Sequence, residues 1–396
     1  MVGWSMRKVM VAAAGLLLLA GCGLNGTDNE KSEGKTTQAA APSGDETLLS
    51  RDPTSGQAVR EDIPDAEARP TMQLQVVLER LGFGPGVIDG KEGLSTRNAL
   101  AGFQEANDLA ETGKLDDATK AALAGWSNIP ATRVVTIPES WGAITFAPTP
   151  DKPEDQAKLT QLGYQTLDEK LAERFHTTVE TLALLNPGGR PARAGETPTP
   201  AAPSPSPSAS PSGPPPALFR AGQQIRVPNV GADRIDAAAV DDKAWLATLT
   251  SLGVGTTQAK VTRVVVSKSK GTLKAFDKDD KLVALFTVTS GSSHDPLPLG
   301  EWGINVVSKN PPFAYNPELF WDVPDHEEKQ MLPPGPNGPV GVVWIDLTKE
   351  HYGIHGTPEP QTIGRSQSHG CVRLTNWDAA RLALMVSGST KVLFET

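Results

Sequence analysis

The chain has 396 residues, 37 of them Lys or Arg and 46 Asp or Glu, for a formal net charge of −9. That balance excludes the basic face a nucleic-acid partner would require, and two cysteines leave no room for a dense disulfide framework. Length allows about two to four domains, and the 34 prolines and 38 glycines predict that part of the chain is linker.

Arg7 and Lys8 precede an apolar run at residues 9–19, and Leu19-Ala20-Gly21-Cys22 closes it with small residues, the pattern of an export signal. The run is about half of the ~20 residues that a membrane-crossing helix needs. The Leu-Ala-Gly-Cys box resembles the bacterial lipoprotein processing site. That resemblance implies removal of residues 1–21, lipid on the Cys22 sulfur, and a membrane-anchored protein of the cell envelope facing the periplasm or wall. Ordinary secretion with an unmodified Cys22 is the alternative. Residues 22–66 are rich in Ser, Thr, Gly, Glu and Asp and carry too few large apolar side chains to offset chain entropy, so they read as a disordered tether.

Helical periodicity begins in residues 67–126. Leu74, Val77, Leu78 and Leu81 share one face, Gly82 can end that helix, and Leu100 and Phe103 begin another stripe, so three short helices are predicted. Val87-Ile88-Asp89-Gly90, Phe103-Gln104, Gly113 and Leu115-Asp116 resemble the small all-α peptidoglycan-binding domain, which implies a wall polymer as partner. No catalytic cluster lies here.

Residues 127–231 hold a helix pair at 167–175 and 179–185, then Asn186-Pro187-Gly188, then Gln223-Gln224-Ile225-Arg226-Val227-Pro228. The order resembles a LysM glycan-binding module, an α+β unit, with its opening strand expected near Tyr164 and a Pro/Ser-rich insert at 194–217. A longer loop adds only about 1.5 kcal/mol of closure entropy, so the insert is tolerable. A purely structural spacer is the other reading of this region.

Residues 232–259 read as a connector with one short helix. In residues 260–396 strict alternation takes over, and strands are expected at 261–266, 272–276, 281–288, 341–347 and 391–394, with the chain turning at 277–280. Short connections predict a mostly antiparallel sheet. An amphipathic helix is expected between Thr375 and Ser387, with Thr375 as its cap and Asp378 three residues on.

The chemistry concentrates in Ser368-His369-Gly370-Cys371-Val372-Arg373-Leu374, preceded by Tyr352-Gly353-Ile354-His355-Gly356-Thr357. With Cys22 assigned to a lipid, Cys371 is the remaining thiol. A thiol is mostly protonated at neutral pH, and a neighbouring imidazole can take its proton and hold a reactive thiolate. His355 is a better candidate base than His369. His351 and His355, four apart, do not make a zinc pair: Tyr-Gly-Ile between them favours a strand, and no metal or other cofactor is expected. His176, His294 and His326 read as surface or loop residues. The Pro/Gly-rich residues 310–341 read either as a lid over the cysteine or as a disordered insertion.

His355-Gly356-Thr357 followed by the Ser368-to-Leu374 motif resembles the L,D-transpeptidase (YkuD) catalytic domain, over roughly the last third of the chain. Pro298-Leu299-Gly300-Glu301-Trp302 and Ile363-Gly364-Arg365 agree with it. The resemblance implies a multidomain chain ending in a mostly-β YkuD-type domain with a short C-terminal helix. It also implies the reaction: Cys371 attacks the amide between the third residue of a peptidoglycan stem and its D-Ala, and the resulting thioester passes to an acceptor amine. In that scheme His355 moves the proton, the Gly356 backbone orients it, and Gly370 and His369 stand at the oxyanion. Ser368, Arg373, Thr357 and Tyr352 are expected at the substrate, Arg373 being suited to a carboxylate. An L,D-carboxypeptidase or wall-protein amidase using the same thioester, and a non-catalytic wall-binding lipoprotein, are the rival readings.

Overall fold

The computed structural model describes residues 63–192, 217–230, 234–320 and 327–396. The expected leader, Cys22, nearly all of the tether, His326 and almost the whole Pro/Ser-rich insert lie outside them. Among the described residues, no helix is long and apolar enough to cross a membrane.

Pro70 at the first helical position starts α1 (Pro70–Arg80), and Gly82, at φ +91°, turns the chain after it. A two-residue strand, β1 (Phe83–Gly84), precedes α2 (Leu94–Ala106) and α3 (Asp117–Leu123), the last capped by Asp116, whose carboxylate accepts from the Thr119 amide. The three expected helices are present. Gln104, fully buried, donates to Thr119 Oγ1 at 2.8 Å and accepts from the Gly113 amide at 2.8 Å, so the Gln and Gly of the sequence pattern brace this region from within.

The middle region comprises β2 (Thr132–Thr136), the single turn α4 (Pro153–Gln156), α5 (Leu167–Arg174), α6 (Val179–Leu185) and β3 (Gln224–Pro228). β2 and β3 pair antiparallel, Val134 opposite Arg226. The strand that pairs with β3 is therefore at Thr132–Thr136, and no strand forms near Tyr164, which donates its hydroxyl to Glu173 at 2.7 Å. The β-branched run Thr-Arg-Val-Val-Thr carried that signal.

The remaining elements are α7 (Lys243–Leu252), β4 (Arg263–Ser267), β5 (Thr272–Phe276), β6 (Leu282–Thr287), β7 (Thr289–Ser290), β8 (Gly300–Trp302), β9 (Ile304–Lys309), β10 (Phe313–Tyr315), β11 (Gln330–Leu332), β12 (Val343–Leu347), β13 (Gly353–His355), β14 (Val372–Arg373), α8 (Asn376–Met385) and β15 (Lys391–Glu395). They form one sheet in the order β1-β6-β5-β4-β15-β8 and another in the order β7-β14-β13-β12-β9. Residues of both sheets, among them Val264, Phe286, Phe394, Ile345, Ile354 and Val372, share one buried cluster with Trp245 of α7 and Trp377 of α8. Most pairings are antiparallel as expected, but β1 with β6, β4 with β15 and β13 with β14 run parallel. Each parallel pair joins strands distant in sequence, with intervening chain long enough to cross over. Thr375 caps α8 by accepting from the Asp378 amide, yet nearly every α8 residue is buried, so the helix is a core element and not an amphipathic one.

The helical region is built into the edge of the first sheet. Phe83 pairs with Leu285 and Gly84 with Phe286, and Val77, Leu78, Leu100 and Phe103 share a cluster with Leu282 and Leu285. His176, expected at the surface, is 1% exposed: Nδ1 lies 2.8 Å from Glu79 Oε1, Nε2 donates to the Leu252 carbonyl at 2.9 Å, and the ring stacks on Trp377 at 4.8 Å. Its partners come from α1, α7 and α8, far away in sequence, so spacing could not reveal them.

A Cβ on Gly102 would lie 2.8 Å from Leu285 Cδ1. Gly102→Val should therefore cost about 1–3 kcal/mol through overpacking, read as a lowered urea midpoint of the whole chain. An unchanged midpoint would show that α2 does not press on this sheet.

Candidate active site

The site is built on the parallel rungs Ile354 with Val372 and His355 with Arg373. Side chains alternate along strands; Ile354 and Val372 are fully buried in the core, which leaves His355, Arg373 and the preceding Cys371 on the opposite face. Extending the register sets Cys371 beside Gly353. Strands ~4.8 Å apart with ~3.3 Å of rise per residue then put the Cα atoms of Cys371 and His355 about 8 Å apart on a diagonal, a gap that two converging side chains can span.

His355 is 4% exposed, and its Nδ1 lies 2.7 Å from the Gly356 carbonyl oxygen. A carbonyl only accepts, so Nδ1 carries the proton and Nε2 keeps the lone pair. Its ring stacks on Trp344, with centroids 5.5 Å apart. Gly353 makes room for that indole, since a Cβ there would lie 2.6 Å from Trp344 Cζ2. Burial, with the neighbouring Arg373 charge, pushes the imidazole down to about 4 against the opposing pull of the Gly356 bond. Cys371 is half-buried and its Sγ lies 3.8 Å from the His351 carbonyl. Burial pushes its thiol up, and a Gly353 backbone hydrogen bond and Arg373 offset that only in part. Both shifts favour a neutral thiol beside a neutral imidazole, unlike the resting thiolate the sequence suggested.

The loop before Cys371 is locked from below. Ser368 Oγ donates to the Cys371 carbonyl at 2.6 Å and accepts from the Gly291 amide at 2.7 Å, and the residue is 3% exposed. Ser368, expected at the substrate, is thus committed to the loop. Thr357, also expected there, is buried and accepts from the Glu359 amide at 3.3 Å. Gly370 adopts φ +97°, and a Cβ on it would meet Tyr352 Cε1 at 2.5 Å. Tyr352 therefore packs directly on the cysteine loop, and burial together with the Cys371 and Asp295 charges raises its hydroxyl pKa. The His369 ring meets the edge of Phe320 at 5.1 Å, and Phe320 stacks on Tyr315 at 5.7 Å, which sets the β10–β11 hairpin region beside the loop. Arg373 stays partly exposed on the His355 face. Sequence reading missed Trp344, Gly291 and Asn376; an aromatic at the rung opposite His355 was the one available cue, and it required the β12–β13 register.

Residues 261–393 match the family of L,D-transpeptidase catalytic domains. Residues 69–123 match a family of provisionally assigned peptidoglycan-binding domains. The provisionally named L,D-transpeptidase YkuD of Bacillus licheniformis is 33% identical over 130 residues, which are 33% of this chain and 63% of that protein's length. The provisionally named L,D-transpeptidase YqjB of Bacillus subtilis is 28% identical over 135 residues, 33% of this chain and 69% of that protein. A crystal structure of L,D-transpeptidase 3 from Mycobacterium tuberculosis is 17% identical with a TM-score of 0.29, over 34% of this chain and 60% of that one.

A neutral resting pair has a direct consequence for reactivity. In a Cys22→Ser background, alkylation of Cys371 by iodoacetamide should accelerate with pH and reach half-maximum above the ordinary thiol range. A rate already at its plateau near pH 7 would reveal a preformed thiolate and contradict these shifts.

Proposed function

We propose that the protein is a peptidoglycan L,D-transpeptidase. The observation that carries the reading is the common face of Cys371 and His355 across β13 and β14, with His355 Nδ1 bonded to the Gly356 carbonyl. Within the matched catalytic family, that arrangement supplies a nucleophile, a base and an orienter. As Cys371 Sγ attacks the amide carbon between the third stem residue and D-Ala, Nε2 of His355 takes the thiol proton. The tetrahedral oxyanion is met by backbone N–H groups of the Gly370–Cys371 turn, with His369 beside them. One such donor is worth about 3 kcal/mol of barrier. The C–N bond then breaks, the imidazolium returns its proton to the departing D-Ala amine, and a thioester remains on Cys371. The amine of a second stem attacks that thioester, giving a link between two third-position residues and restoring the thiol. Because burial keeps both partners neutral at rest, the proton moves with the attack, as general-base catalysis requires. Arg373, partly exposed on this face, is suited to a substrate carboxylate, and Tyr352 borders the nucleophile.

Packing of Phe320 on His369 supports transfer to an amine over hydrolysis, since it covers one side of the cysteine loop from water. The helical region would hold the wall polymer. The helix pair α5–α6 ahead of β3, which pairs with β2, supports a LysM-like glycan site, and an open groove of about 540 Å³ there is lined by Gly188, Arg190, Arg220, Gln223 and Gln224 among others. Lipid on Cys22, supported by the Leu-Ala-Gly-Cys box, would tether the enzyme to a membrane in the envelope.

With defined tetrapeptide muropeptides, mass spectrometry should find free D-Ala and cross-linked dimers. Cys371→Ala should abolish both products, and His355→Ala should slow them by about 10²- to 10⁴-fold. Trimmed monomers alone would establish a carboxypeptidase instead, and no product at all would remove the enzymatic reading.

A further inference from the structure

The Gly356 backbone, whose carbonyl orients His355, packs against a side chain that is tied to the middle region. Asn376, the first residue of α8, is fully buried, and its side-chain oxygen sits against the backbone of both Gly341 and Gly356, where no Cβ could fit. That oxygen accepts from the Val342 amide at 3.2 Å. Its Nδ2 donates to Glu173 Oε1 at 2.7 Å and to the Pro336 carbonyl at 3.1 Å. Glu173, on α5 of the middle region and 6% exposed, has its other oxygen engaged by the Tyr164 hydroxyl at 2.7 Å. With both amide hydrogens and the oxygen used, the Asn376 side chain has one orientation, and the carboxylate of the middle region holds it together with the Pro336 carbonyl and the Val342 amide.

We propose that Glu173, acting through Asn376, is a positioning residue for His355, so that the middle region completes the catalytic centre and does not merely deliver it to the wall. The chain of contacts runs from Glu173 to the Asn376 amide, to the backbone at Gly341 and Gly356, and so to the carbonyl that fixes the Nδ1–H tautomer. Removing the carboxylate strips one of the three bonds that hold this amide and loosens its packing against Gly341 and Gly356. His355 then loses the single ring orientation that the Gly356 carbonyl sets. The inference rests on the transpeptidase reading for its kinetic consequence and on geometry alone for its structural one.

Two readouts on the full chain separate these. Glu173→Leu should lower kcat by about tenfold to a hundredfold, the scale of a misplaced catalytic group, with KM for the tetrapeptide stem unchanged. Glu173→Gln, which keeps an acceptor for Asn376, should restore the rate. Asn376→Asp keeps the acceptor for Val342 but cannot donate to Glu173, and should reproduce the Glu173→Leu loss even if that variant folds poorly. Ring-¹⁵N NMR should show His355 as a single Nδ1–H tautomer in the wild type and Glu173→Gln, and as a tautomer mixture in Glu173→Leu and Asn376→Asp. Wild-type turnover and a single tautomer in both disrupted variants would overturn the proposal, as would a Gln variant as impaired as Leu. A wild type that never releases D-Ala would refute the transpeptidase reading, while the tautomer spectra would still decide the positioning role.

Discussion

Everything chemical in this protein depends on two parallel rungs between β13 and β14. Parallel pairing sends both strands out of the core in the same direction, so the motif residues on one face emerge together at the same end of the sheet. Ile354 and Val372 anchor that register because both are fully buried, and a slip by one residue would carry them to solvent and the chemistry into the core. The neighbours reinforce it: the Leu374 amide donates to the His355 carbonyl at 2.8 Å, and Ser368 ties the Cys371 carbonyl to the Gly291 loop.

Burial does the electrostatic work. Cys371 and His355 are both pushed toward their neutral forms, and the Arg373 charge stabilises a thiolate while opposing an imidazolium. A neutral pair of this kind loses its proton as attack proceeds and holds no standing thiolate at rest. The same packing ties the catalytic residues to much of the rest of the chain. Phe83 and Gly84 extend the sheet that packs beneath the site, and His176 joins α1, the middle region and α8 through Glu79 and Trp377.

Much of this was legible in the sequence because it is local. Alternation located β4, β5 and β6; Thr375 with Asp378 marked the start of α8; and the two motifs singled out Cys371 and His355. What failed was non-local. Whether β13 and β14 run parallel depends on how a long connection returns, which no residue pattern encodes. Ser368 looks like a substrate ligand in a motif, yet its hydroxyl both donates to and accepts from backbone groups of the loop. A strand was expected near Tyr164, while the strand that pairs with β3 lies earlier in the chain, at Thr132–Thr136. Asn376 carried no motif at all, because its importance lies in the two glycines it touches, Gly341 and Gly356.

The most direct measurement is acid-quenched peptide mapping of the enzyme mixed with a tetrapeptide stem. A service of the Cys371 sulfur by His355 predicts a thioester on Cys371 whose added mass is the stem without D-Ala, forming far more slowly in His355→Gln but at the same residue. Acylation that proceeds at the same rate without the imidazole would contradict the shared face as the origin of catalysis.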